Sequence, residues 1–333
     1  MALVRIGELN FNVEVEGPFK APFLMLSNSL GTNYRMWDPQ MPELTRHFRV
    51  IRYDSRGHGR SHADDGPYSI AGLGRDALAI MDALGVTKTH WIGLSKGGMI
   101  GQWLLANAPQ RLDRTVLANT GAHMGPVDLW NNRIRAARSG GMDTLAAGTI
   151  DRWFTKDFQK ANPEAIEKIL AMLQTTPPQG YAASCAAIRD MDQRESIRSI
   201  RDKPVLVIVG RHDPATPPAL GKLIASSIEG ARTVTLNAAH LSNIEDAENF
   251  TKAVVDFLTG KTPVSPPPDK PAKKAAKTPV APKAATKKAA GKKAAAKKPA
   301  AKTAKKPAGK AAPKKPAGKT AAKKAPAKKK KTR

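Results

Sequence analysis

The chain has 333 residues with 55 Lys and Arg against 28 Asp and Glu, a net charge of +27. From Lys261 to Arg333 there are 26 basic residues and one acid, Asp269, so residues 1–260 carry a net charge of only +2. That body is long enough to bury one substantial core, and its single cysteine, Cys185, excludes an intrachain disulfide.

A lone thiol fits a reducing compartment, and the opening segment MALVRIGELNFNVEVEG lacks the basic-then-apolar pattern of a signal peptide. No run approaches the roughly 18 apolar residues of a membrane span. The expectation is a soluble, cytoplasmic protein with no membrane role. VRIGELN and FNVEVEG alternate apolar and polar residues and predict an antiparallel pair of strands. Short apolar runs follow at PFLMLSN (22–28), FRVIRYD (48–54), THWIGLS (89–95), RTVLANT ending near Thr120, KPVLVIVG (203–210) and ARTVTLN (231–237). Between them lie helical patterns such as Ile70–Gly85, with apolar residues three and four apart. Buried strands alternating with helices predict an α/β fold whose mostly parallel central sheet is covered by helices on both faces. Residues 121 to about 198 interrupt the rhythm with amphipathic segments such as NPEAIEKILAMLQ, which predict a helical cap inserted between two strands. The domain division is thus 1–260 for the folded body and 261–333 for a Lys/Ala/Pro-rich tail. With no aromatic residue and little apolar content beyond alanine, the tail is expected to be disordered in isolation.

Chemistry concentrates in HWIGLSKGGMIGQ (90–102). Gly-x-Ser-x-Gly is a weak pattern alone, but here the serine ends a buried strand and opens a helix. That corner forces a strained backbone at Ser95, which the flanking glycines accommodate, and it projects the hydroxyl at the sheet edge. A nucleophilic serine needs a base, and the base an orienting carboxylate, in the chain order Ser, acid, His. Of the histidines at 47, 58, 62, 90, 123, 212 and 240, only His240 follows the last predicted strand. Asp213 lies just past the penultimate strand, whereas Asp190, Asp192 and Asp202 lie in or beside the insertion. Two backbone donors should hold the oxyanion: the amide of Lys96, and that of Leu30 in the loop SNSLGTNYRMWD. The Lys96 side chain itself is expected to be solvated. YDSRGHGRS (53–61) does not match a phosphate-binding loop and reads as structural. No metal-ligand spacing and no dinucleotide fingerprint is found, so no cofactor or metal is implied.

At SNSLGTNYRMWD, YDSRGHGRS, GLSKGGMIGQ, RWFT, CAAIRDMD, GRHDPATPP and AAHLSNIE the chain resembles an α/β-hydrolase, and more narrowly the 3-oxoadipate enol-lactone hydrolases of the β-ketoadipate pathway of aromatic catabolism. The resemblance spans residues 1–260, and Ser95, Asp213 and His240 match that family's triad by position. It implies hydrolysis of a small-molecule lactone that carries a carboxylate. A cation in the cap is then expected, with Arg133 and Arg189 as candidates and Trp130 and Trp153 as apolar walls. Rival readings are another serine hydrolase (a carboxylesterase, a perhydrolase or a C–C bond hydrolase) and a nucleoid-associated, polyanion-binding protein. The last rests on residues 261–333, whose charge should bind nucleic acid or other polyanions without sequence preference.

Overall fold

A computed structural model describes residues 2–261. The basic tail beyond Lys261, with the disorder and polyanion binding expected of it, lies outside the described residues. In chain order the elements begin with β1 (Ala2–Ile6), β2 (Leu9–Glu16), β3 (Phe23–Ser27), α1 (Met41–His47), β4 (Arg49–Tyr53) and α2 (Ile70–Ala83). The nucleophile corner follows, with β5 (Thr89–Leu94), α3 (Lys96–Asn107) and β6 (Leu112–Ala118). Five helices fill the interval before the next strand: α4 (Val127–Gly140), α5 (Asp143–Trp153), α6 (Lys156–Ala161), α7 (Pro163–Gln174) and α8 (Pro178–Asp190). The chain closes with β7 (Val205–Gly210), α9 (Pro218–Ser227), β8 (Arg232–Leu236), α10 (Ser242–Glu245) and α11 (Ala247–Leu258).

The first hairpin turns earlier than the apolar–polar alternation suggests. Ile6 pairs with Leu9 across a two-residue turn at Gly7–Glu8, with Gly7 at φ +59°. Within VRIGELN the period slips after Ile6, since Leu9 follows at three residues rather than two, and the slip falls on the turn that Gly7 opens.

One eight-stranded sheet has the order β1-β2-β4-β3-β5-β6-β7-β8. β2 is antiparallel to both β1 and β4, and every later pairing is parallel. All six residues of β5 and all six of β7 are buried, the continuous run expected of a parallel strand covered on both faces. The register then decides where the site forms. Ser27 lies opposite Gly93, Leu94 opposite Ala118, and Gly210 opposite Leu236, so the carboxyl ends of β3, β5, β6, β7 and β8 share one rim. The chain also reverses direction across the sheet at β3, leaving β3 and β5 adjacent with their following loops at a topological switch point.

The helices α4–α8 gather over this rim, α4 packing on α8 and α5 on α7. They are tied down at named points. The Leu241 N–H donates to the Trp153 carbonyl at 3.1 Å, and the Gln193 side-chain amide donates to the Met99 carbonyl at 2.9 Å. The Glu245 carboxylate accepts from the Thr155 hydroxyl and also from the Ala239 N–H at 2.9 Å. No helix among the described residues is long and apolar enough to cross a membrane.

Candidate active site

Ser95 ends β5 and begins α3 at φ +57° and ψ −114°, a left-handed conformation that non-glycine residues rarely adopt. Two close approaches explain its glycine neighbours. A Cβ on Gly93 would sit 2.1 Å from the Gly97 carbonyl oxygen, and one on Gly97 would sit 2.1 Å from the Ser27 carbonyl oxygen. The corner is pinned by Ser95 N–H donating to Ala118 O at 2.9 Å and by the Thr120 hydroxyl donating to Ser95 O at 2.8 Å. Backbone strain held in place by this many contacts is concentrated at functional sites in folded proteins.

His240 and Asp213 meet across the loops after β8 and β7. His240 Nδ1 lies 2.8 Å from Asp213 Oδ2, and both residues are buried. Asp213 is an acceptor several times over. Its Oδ1 takes the Ala215 and Thr216 N–H groups at 2.8 and 2.9 Å, while its Oδ2 takes the Thr216 hydroxyl at 2.6 Å and the Asn119 amide at 3.0 Å. Burial pushes the Asp213 carboxyl up, but the His240 ring and these donors outweigh it and hold the group below its ordinary value. An ionised Asp213 that accepts from Nδ1–H leaves His240 Nε2 as the basic nitrogen. No hydrogen bond between Ser95 and His240 is formed in this structure; bonds of this kind commonly tighten only when substrate binds. Both residues nevertheless line one cavity of about 500 Å³, within the range of small-molecule sites.

Leu30 lines the same cavity. Neither the Leu30 N–H nor the Lys96 N–H donates to an acceptor among the described residues, as an oxyanion pair requires. The loop that carries Leu30 is held from several sides. Asn28 donates to the Tyr53 carbonyl at 2.7 Å and accepts from the Trp37 indole at 2.9 Å, and Tyr34 N–H donates to Asp54 at 2.8 Å. The expected solvation of Lys96 is corrected. Its side chain is fully buried against His58, because the first turn of α3 lies under the sheet rim rather than at the surface. Burial pulls its ammonium down to about 7.

The cap side of the cavity carries Trp130, Arg133, Arg152 and Trp153. Arg133 stacks on the Trp130 ring at 4.7 Å, one turn away on α4. Arg152 donates to the Thr149 hydroxyl at 2.9 Å and is held below its ordinary value by burial and then by the charge of Arg133. Neither guanidinium has a carboxylate partner among the described residues. The other candidate cation, Arg189, is corrected. It bonds Asp190 at 2.7 and 2.8 Å and Asn131 at 2.8 Å, and it does not line the cavity. Its neighbour Ile188 does, and one residue along a helix turns the side chain by about 100°.

Sequence reasoning also missed Asn119, Thr216 and Arg152. Asn119 sits at φ +45° just past β6 and bonds both Asp213 and the Ala239 carbonyl; its position at a strand end was the available signal. Among the described residues no group of three His, Cys, Asp or Glu is placed to hold a metal ion.

A strained serine after β5, a His–Asp pair after β8 and β7, and a helical insertion over the shared rim make a recognisable whole. A family model described as alpha/beta hydrolase fold matches residues 22–247. The chain belongs to this family. It is a hydrolase, and similar to proteins named as enol-lactonases. 3-oxoadipate enol-lactonase 1 of Acinetobacter baylyi is 38% identical over 247 residues, which cover 74% of this chain and 92% of that protein. The crystal structure of the enol-lactonase from Burkholderia xenovorans LB400 is 44% identical with a TM-score of 0.75, covering 76% of this chain and 98% of its own. A hydrolase from Pseudomonas aeruginosa PA01 is 47% identical with a TM-score of 0.75, over 77% and 97% of the two chains.

Proposed function

We propose that this hydrolase opens a small enol-lactone bearing a free carboxylate, 3-oxoadipate enol-lactone being the compound that the similar proteins' names suggest. The observation that carries this reading is the pairing of Ser95 and His240 with Arg133 and Arg152 across one cavity. A serine and its base suit many esters. Two partly buried cations with no carboxylate partner among the described residues select an anionic one, since an anion beside them relieves their mutual repulsion.

Ser95 Oγ, losing its proton to His240 Nε2, attacks the lactone carbonyl. The Leu30 and Lys96 amides hold the oxyanion, and Asp213 stabilises the imidazolium. Collapse of the tetrahedral intermediate breaks the ring C–O bond and expels an enolate, a much better leaving group than an alkoxide. His240 protonates that oxygen, giving an enol still attached through the acyl chain. Water, deprotonated by His240, then cleaves the Ser95 ester, and the enol tautomerises to the 3-oxo acid. The setting proposed is cytoplasmic, in keeping with the buried thiol of Cys185, which burial pushes up to about 12. The test is steady-state turnover of a carboxymethyl-substituted enol-lactone beside simple aryl esters and vinylogous diketones. Preference for the lactone supports the reading, and equal or better turnover of neutral esters or diketones points to an esterase or a C–C bond hydrolase instead.

A second reading concerns the tail alone. A net charge of +25 over residues 261–333 favours binding to nucleic acid or another polyanion by counterion release. Retention of the full chain on DNA should fall steeply with salt and vanish for a chain ending at Gly260. Equal retention of the two chains at low salt would exclude a tether.

A further inference from the structure

The segment 53–61, which read as structural in the sequence, reaches the oxyanion loop through one side chain. His58 is fully buried, and its Nε2 accepts the Gly31 N–H at 2.9 Å. Its Nδ1 lies 3.2 Å from the Arg56 carbonyl oxygen, so that nitrogen carries the proton and the ring is neutral. Gly31 directly follows Leu30, one of the two proposed oxyanion donors. Lys96, which supplies the other donor, folds its own side chain back onto the same ring. Its Nζ lies 3.2 Å from Nδ1 and 3.3 Å from Nε2. A nitrogen nearly equidistant from both ring nitrogens is aimed along neither lone pair, which leaves Nε2 available to Gly31. No carboxylate pairs with Lys96 among the described residues.

We propose that His58 is a positioning residue that sets the Leu30 amide against the Lys96 amide, and that the Lys96 side chain keeps His58 in its accepting, neutral form. One ring thereby couples the two loops that supply the oxyanion hole. If Nε2 takes a proton, it becomes a donor facing a donor, and the Gly31 bond is lost. Burial and then the Lys96 charge hold His58 well below the ordinary histidine value. The ionisable groups facing Lys96 are His58, Cys185 and Asp54, and the one facing His58 is Lys96. As pH falls, the lysine takes the first proton, and its charge then opposes the second on the ring. The buried lysine thus protects the oxyanion loop from acid.

This proposal rests on Ser95 acting as nucleophile, so Ser95→Ala is run beside the test variants. His58→Leu removes the acceptor and should lower kcat roughly 10- to 100-fold with KM changed less than about 3-fold, below the loss for deleting a whole oxyanion donor. His58→Gln places an amide oxygen near the Nε2 position and should recover most of that loss. In Lys96→Met the acid limb of activity should move to higher pH than in wild type, and the His58 ring signal in NMR should titrate at higher pH with it. Wild-type kcat in His58→Leu, or equal impairment of His58→Leu and His58→Gln, overturns the positioning role. If His58→Leu does not fold, His58→Gln and Lys96→Met decide. An impaired His58→Gln, or an unmoved acid limb and ring titration in Lys96→Met, then overturns it. Full activity in Ser95→Ala would instead sink the nucleophile reading beneath it.

Discussion

The floor and the roof of the cavity are built by different means. The floor consists of strand ends whose register forces Ser95, Asp213 and His240 onto one rim, and each is locked by backbone contacts or by several hydrogen bonds. The roof consists of helix faces, where Trp130, Arg133, Arg152 and Trp153 are placed by packing, a ring stack and single hydrogen bonds at Trp130 and Arg152. On the proposed reading, reaction type resides in the floor and choice of substrate in the roof. Substitutions in the two regions should separate accordingly, with losses in kcat below and losses in KM above.

The largest effect is expected at Ser95. Ser95→Ala should reduce kcat by about 10⁴-fold or more while substrate still binds, measured by steady-state hydrolysis beside calorimetric titration of a substrate analogue. Asp213→Asn should follow at roughly 10³- to 10⁴-fold in kcat, since the amide cannot hold Nδ1–H and present Nε2 as a base. The roof answers differently. The double substitution Arg133→Met and Arg152→Met should raise KM for a carboxylate-bearing lactone roughly 10- to 100-fold with kcat nearly preserved, and leave its methyl ester almost unaffected. A kcat loss of the same size for both compounds would break the division between floor and roof.

Much of the floor was legible because each requirement has a sequence correlate. The glycines around Ser95 answer to carbonyl oxygens 2.1 Å from where a Cβ would stand, and strand ends before Asp213 and His240 are visible as apolar runs. The roof was only half legible. Arg133 and Arg189 looked equivalent, yet a turn of about 100° per helical residue gives the cavity to Ile188 and leaves Arg189 with Asp190. Arg152 lay inside the motif RWFT yet was not singled out, since which face of α5 looks inward depends on how α5 docks. Lys96 was misjudged for a related reason: a lysine in a first helical turn is ordinarily solvated, and only the tertiary fold brings His58 against it.

The smallest effect concerns stability rather than rate. Lys96 is held at about 7 against an ordinary 10.5, so between those values the unfolded chain binds a proton that the folded one releases. The resulting cost to folding is complete below pH 7 and fades as pH rises to 10.5. Lys96→Met should therefore be the more stable protein, by on the order of a few kcal/mol at and below neutral pH, with the gain shrinking in alkali. Chemical denaturation at pH 6.5 and pH 10 measures both ends.

In the proposed mechanism, acylation of Ser95 is the step on which floor and roof converge. Reaction with a fluorophosphonate, followed by mass spectrometry of the digested protein, should place one adduct on the peptide containing Ser95. That adduct should be absent in Ser95→Ala and form orders of magnitude more slowly in His240→Ala. An adduct on a different serine, or labelling undiminished in Ser95→Ala, would contradict the account.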